Sequence, residues 1–112
     1  MIETRKYYTD KEGSTYGLPC YKVTEVGLEE VLGVQEIKFV KGNIEGEEFR
    51  QSGIITENLL AMLIGHLKFL NQGELSNRQT SIAITNLEIA LMWIEERKRD
   101  RLKRGVLGTY KK

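Results

Sequence analysis

The chain has 112 residues, 40% hydrophobic and 29% charged, the size and balance of one globular domain. Cys20 is its one cysteine, which excludes an intrachain disulfide, and no apolar run approaches the roughly 20 residues that span a bilayer. The net charge of +1 hides an asymmetry: residues 97–112 carry eight Lys or Arg against Asp100, a net of +7, so the other 96 residues carry −6. One end of such a molecule attracts anions while the body repels them, which argues for a local anionic ligand more than for a broad nucleic-acid surface. The N-terminus shows no charged-then-apolar leader, so the chain reads as intracellular.

Residues 1–19 are polar, with Gly13, Gly17 and Pro19 as breakers, the signature of an extended arm or irregular strand. Tyr21 to Val26 alternates Tyr, Val and Val with Lys, Thr and Glu, which predicts a half-buried strand. Leu28 to Leu32 reads as a helical turn before Gly33. Val34 to Lys41 is a stronger strand candidate, and Glu47 to Ile55 returns as its partner. That places a hairpin around Gly42 to Gly46, with a loop long enough to call for a bulge.

Thr56 then caps a helix with Glu57 in its first turn. Leu59, Leu60, Leu63, Ile64, Leu67 and Leu70 give it an apolar face, and Asn71-Gln72-Gly73 ends it. Ser76 opens a last, long helix, with Gln79 completing a capping-box pattern. A link of about five residues makes the two helices an antiparallel hairpin. The expected class is α+β: a single domain, residues 1–112, with a small antiparallel β-hairpin region (1–55) packed with a C-terminal helical hairpin and basic loop (56–112).

In the last helix Ala83, Leu87, Ala90, Ile94, Arg97, Arg101 and Arg104 follow at steps of four and three. An apolar stripe thus runs into a stripe of arginines. Guanidinium forks suit phosphate, and the loop Gly105 to Thr109 beside them adds two glycines and a hydroxyl. Two readings fit: a pocket for a phosphorylated ligand, or cations solvated at a helix C-terminus, where they are favoured anyway. Asn77, Gln79 and Thr80 carry groups able to read an adenine edge, and Phe69 and the tyrosines offer stacking faces. Polar surface and core packing explain the same residues equally well.

Catalytic chemistry has no positive signal. His66, the only histidine, has no nucleophile or metal-ligand partner near it in sequence. The acid pairs Glu29-Glu30, Glu47-Glu48 and Glu95-Glu96 read as solvated surface. There is no Walker loop, dinucleotide fingerprint or metal motif.

The run Asn77-Arg78…Ser81…Ala83…Leu87-Glu88…Ala90…Met92-Trp93, with the ending Arg104 to Tyr110, resembles the helical hairpin shared by phage-encoded anti-Thoeris and anti-CBASS sponges. The resemblance is most specific over residues 56–110, and the preceding strands fit the anti-Thoeris type. It implies a non-enzymatic protein, without cofactor or metal, that sequesters cyclic nucleotide second messengers in the cytoplasm of the bacterial host. The messenger of the anti-Thoeris type is a glycocyclic ADP-ribose made by TIR-domain proteins; related members take cyclic oligoadenylates. The resemblance further implies dimers and assemblies of dimers up to hexamers, with ligand at subunit interfaces. Membrane and nucleic acid are not expected partners. Arg104, Gly105, Gly108 and Thr109 match the family's ending, and Asn77 and Arg78 the start of its last helix. With Arg97, Arg101 and Phe69, these form the expected ligand-binding set. The rival reading is a small nucleic-acid-binding regulator that lays the basic C-terminal helix along phosphates.

Overall fold

A computed structural model describes residues 3–42 and 51–105. Its elements are β1 (Tyr8–Thr9), β2 (Thr15–Thr24), β3 (Gly27–Lys38), α1 (Thr56–Leu70) and α2 (Arg78–Lys103), with a short 3-10 turn at Gly73–Leu75. The α+β class expected from the sequence is observed. The described residues fall into two compact units, one up to residue 41 together with 51–54, the other from residue 55 onward.

The first unit is a three-stranded antiparallel sheet in the order β1-β2-β3. A hairpin turns at Glu25-Val26, with Thr24 opposite Gly27; the one expected around Gly42 to Gly46 falls on residues 43–46, which lie outside the described residues, and the antiparallel bridge of Lys41 to Gln51 brackets it. The turn is chemically marked: Gly27 has φ +126, the Thr24 hydroxyl donates to its carbonyl at 3.0 Å, and that hydroxyl accepts from the Val26 N–H at 3.3 Å. Leu28 to Leu32, expected as a helical turn, is therefore strand, because a tight turn just before it leaves β2 as an immediate pairing partner. The β2–β3 ladder carries a bulge of its own. Pro19 faces Val34 and Cys20 faces Val31, so Leu32 and Gly33 are extra residues, and Gly33 takes φ +91.

Beyond β3, among the described residues, the chain returns through isolated bridges that join Lys41 to Gln51 and Phe39 to Ile54; residues 47–50 of the expected partner strand lie outside the described residues. Residues 51–55 thus form no regular strand. Gln51 ties this return to the sheet: its amide donates to the Phe39 and Ser14 carbonyls at 3.0 and 3.3 Å. Tyr16 packs edge-on against Phe39 at 5.6 Å and its hydroxyl donates to Gly13 O at 2.7 Å.

The second unit is the helical hairpin. Its antiparallel sense is visible in pairs whose numbers rise on one helix as they fall on the other: Glu57 with Lys98, Lys68 with Glu88, Asn71 with Ser81. Ile64 and Ile84, each 7% exposed, are the buried apolar side chains of the described residues. Half-buried positions that continue them are Glu57, Leu60 and Leu67 on α1, Asn71 at its C-cap, and Thr80, Leu87, Leu91, Ile94 and Arg101 on α2, with Leu59 half-buried beside the seam. These repeat at steps of three, four and seven, the seam of two helices packed at a shallow angle. On α1, Leu63 and Leu70 fall outside it and are exposed.

The caps shift by one residue from expectation. α1 starts from Ile55, with no side-chain cap, so Thr56 is the first helical residue. α2 starts from Asn77 rather than Ser76, and the Asn77 side chain accepts from the Thr80 N–H at 2.8 Å. A second asparagine joins it. Asn71 Oδ1 accepts from the Asn77 N–H at 2.8 Å while its amide donates to Ser81 Oγ at 3.0 Å, so two side chains close the end of α1 onto the start of α2.

Candidate functional site

The stripe read from sequence is displaced around α2 by about one residue. Ala83 and Ala90 are exposed, and Ile84 and Leu91 take the seam in their place. Both stripes share Leu87, Ile94 and Arg101, so spacing alone cannot separate them; burial does, because Ile and Leu remove far more apolar surface from water than Ala. Of the three arginines only Arg101 continues the buried seam. Arg97 and Arg104 are exposed.

Arg97 and Arg101 nevertheless meet in one place. With Ile55, Glu57, Ile94 and Lys98 they line an open groove of about 270 Å³ where the first turn of α1 lies against the last third of α2. Arg97, Lys98 and Arg101 bring three cations to it. The first turn of α1 adds N–H groups that no side chain caps, the positive pole of a helix dipole. Glu57 is the one carboxylate of the lining, and it pairs with Lys98 at 3.6 Å. Ile55 and Ile94 supply an apolar floor. Such a set suits a phosphorylated ligand with an apolar portion. Sequence reasoning missed Lys98 and Glu57. The signal for Lys98 was the seam counted from Ile84 and Leu91, which reaches residue 98 before Arg101.

The remaining expected residues stand elsewhere. Arg104 is the C-cap of α2 and pairs with Asp100 at 3.2 Å; Gly105 follows with φ +70. Gly108 and Thr109 lie outside the described residues. Phe69, 72% exposed, sits near the end of α1, and Asn77 and Arg78 at the start of α2. At about 1.5 Å per residue, Arg78 and Arg101 are roughly 35 Å apart along α2. One subunit therefore does not bring Phe69, Asn77 and Arg78 to the arginine groove. Asn77 is moreover occupied as a cap, its amide nitrogen donating to Leu75 O at 3.2 Å.

A second apolar face lies opposite the seam on α2. Ile82, Ile89 and Trp93 recur on it with Met92 beside them, and all are 45–66% exposed. Arg97 and Arg104 prolong this outer face, not the inner one. Met62 and Phe69 are likewise exposed on α1, at 61% and 72%. Both helices thus leave large apolar side chains bare.

The sheet unit carries a different cleft, lined by Tyr8, Asp10, Tyr16 and Glu36 among others. Its two carboxylates repel anions. Burial raises the Asp10 carboxyl, but the N–H groups of Ser14, Thr15 and Gly13 outweigh it and hold the group below the ordinary aspartate range. Among the described residues no His, Cys, Asp or Glu cluster fits a metal, and no helix is long and apolar enough to cross a membrane.

Residues 33–99 match the family model of the Acb2/Tad1 hairpin domain. A protein of Bacillus phage SBSphiJ7 named Thoeris anti-defense 1 is 42% identical over 65 residues, which cover 58% of this chain and 46% of that protein. The chain thus matches about half the length of that curated relative. The family match takes in the second half of β3 from Gly33, all of α1, and α2 as far as Arg99, while β1, β2 and the first half of β3 precede it.

Proposed function

Because the chain belongs to the Acb2/Tad1 hairpin-domain family, we propose that it acts against bacterial anti-phage defence as a non-enzymatic sponge for cyclic nucleotide signals. Glycocyclic ADP-ribose is the leading candidate, with cyclic oligoadenylates as related ligands. The observation that carries the reading is the groove of Arg97, Lys98 and Arg101 at the open N-terminus of α1; the family match covers its lining except Arg101, two residues past the match. A pyrophosphate-bridged ring brings two negative charges and a purine, and the groove offers guanidinium forks, an ammonium, helix N–H groups and an apolar floor. Sequestration needs affinity without turnover, so the chemistry required is charge pairing and stacking.

Self-association belongs to the same proposal. Fully burying an Ile or Leu side chain contributes about 1.5–3 kcal/mol, against about 1–2 kcal/mol of backbone entropy for each ordered residue. A hairpin with Ile64 and Ile84 buried and Ile82, Ile89, Met92 and Trp93 bare gains from a second copy on its outer face. An antiparallel pair of α2 helices would also carry Phe69, Asn77 and Arg78 of one copy towards the Arg97 to Arg104 segment of the other. That arrangement reunites the two halves of the expected ligand set at a subunit interface.

The site is tested by equilibrium binding of glycocyclic ADP-ribose. Arg101→Gln, with the fold verified by circular dichroism, should lose a charge-assisted phosphate contact of about 1.5–3 kcal/mol, roughly 10- to 150-fold in affinity. Unchanged affinity in Arg97→Gln, Lys98→Gln and Arg101→Gln alike would remove the groove from consideration.

A further inference from the structure

Glu57 stands out in a groove that otherwise favours anions. Its side chain is 21% exposed, its Oε2 lies 3.6 Å from Lys98 Nζ, and Arg97 and Arg101 line the same cavity. It occupies the first turn of α1, where helix N–H groups have no side-chain cap. A carboxylate there is stabilised by the same three sources that would hold a phosphate: the ammonium, the guanidinium groups and the helix dipole.

Resting on the reading of this groove as the phosphate site, we infer that Glu57 is its resident counter-anion. In the free protein the carboxylate occupies the cation cluster, and an incoming phosphate must displace it. The consequences are physical. The paired carboxylate keeps like charges on Arg97, Lys98 and Arg101 from repelling one another across the groove, so the cations stay gathered before ligand arrives. It also opposes weak anions, because any anion entering must first break the Glu57 pair. Tight binding is then reserved for a ligand with more contacts than one displaced carboxylate offers.

Inorganic pyrophosphate, followed by NMR shifts of the lysine and arginine side chains and of the α1 first-turn amides, is a direct probe. An exposed ion pair of this kind corresponds to about a two- to fivefold change in affinity. Glu57→Gln should therefore bind pyrophosphate about two- to fivefold more tightly than the parent, and Glu57→Asp, which keeps the first-turn charge on a shorter arm, by less. Lys98→Gln should cost more affinity in the Glu57→Gln background than in the parent, because only there is the ammonium wholly available to the ligand. Helicity checked on each variant separates these effects from unfolding. If Lys98→Gln and Arg101→Gln weaken pyrophosphate binding while Glu57→Gln leaves it unchanged or weaker, the groove holds phosphate and Glu57 is not its counter-anion. If pyrophosphate moves none of these resonances, the groove is not a phosphate site and the role of Glu57 falls with it.

Discussion

Asn77 is the residue at which a structural and a ligand role separate most cleanly. Its Oδ1 accepts from the Thr80 N–H at 2.8 Å, its amide nitrogen donates to Leu75 O at 3.2 Å, and its backbone N–H donates to Asn71 Oδ1 at 2.8 Å. Asn77→Ala removes the first two bonds and keeps the third. Loss of an N-cap costs about 0.5–2 kcal/mol, and the exposed amide–carbonyl bond adds about 0.5 kcal/mol, for a total of about 1–2 kcal/mol. At roughly 4–8 °C per kcal/mol for a domain of this size, the melting temperature should fall by about 5–15 °C. Asn77→Asp keeps the acceptor and places a negative charge at the helix N-terminus, so its stability should stay close to the parent's. Thermal melts followed at 222 nm read both variants. An alanine variant as stable as the parent, or an aspartate variant as unstable as the alanine one, would refute the cap assignment. The same pair reports on ligand: if Asn77→Asp melts normally yet loses glycocyclic ADP-ribose, Asn77 also contacts the messenger, across a subunit interface.

Other expectations follow from the same geometry. Ile84→Ala should destabilise the hairpin by about 2–4 kcal/mol in urea unfolding, whereas Ala83→Ser, one residue away on the exposed side, should change stability by less than about 0.5 kcal/mol. Trp93→Lys or Ile89→Lys should lower the mass seen in light scattering, since each places a charge on the outer apolar face; an unchanged assembly would move the interface elsewhere. The Asp10 carboxyl lies below its unfolded range, so its contribution to stability is present above that range and is lost as pH falls through the folded value. Asp10→Asn should abolish that part of the acid sensitivity. Lys6 has the opposite sign. The Glu30 carboxylate 3.0 Å away, aided by Tyr8, pushes it up to about 12, so its contribution is complete below 10.5 and lost as pH rises through about 12. Lys6→Met should flatten that alkaline loss.

The helical half was legible in sequence because its signals are local. Leucine spacing, a glycine-containing link and polar residues at the helix starts placed α1 and α2 within a residue or two of their ends. The exact stripe was not legible, since two stripes one residue apart share Leu87, Ile94 and Arg101. The choice between them depends on which side chains the partner helix buries, and Ile84 and Leu91 outweigh Ala83 and Ala90. The β half was harder for a related reason. Leu28 to Leu32 has no strict alternation because a bulge at Leu32 and Gly33 breaks its period, and a broken period resembles a helical turn. The turn at Glu25-Val26-Gly27 was not legible either, since only Gly27 marks it in the sequence. At the candidate site, sequence identified Arg97 and Arg101, whereas Glu57 and Lys98 meet only once the two helices are folded against each other.

Retention of an intact messenger tests the central claim most directly. The protein is incubated with a panel of glycocyclic ADP-ribose, cyclic dinucleotides and cyclic trinucleotides, passed through a desalting column, then heated, and the released ligand is identified by mass. The account predicts that glycocyclic ADP-ribose, a cyclic oligoadenylate or both are retained in near-stoichiometric amount and recovered unaltered, with His66→Ala behaving as the parent. Retention of none of them, or recovery of a cleaved product that accumulates over repeated turnovers, would contradict it.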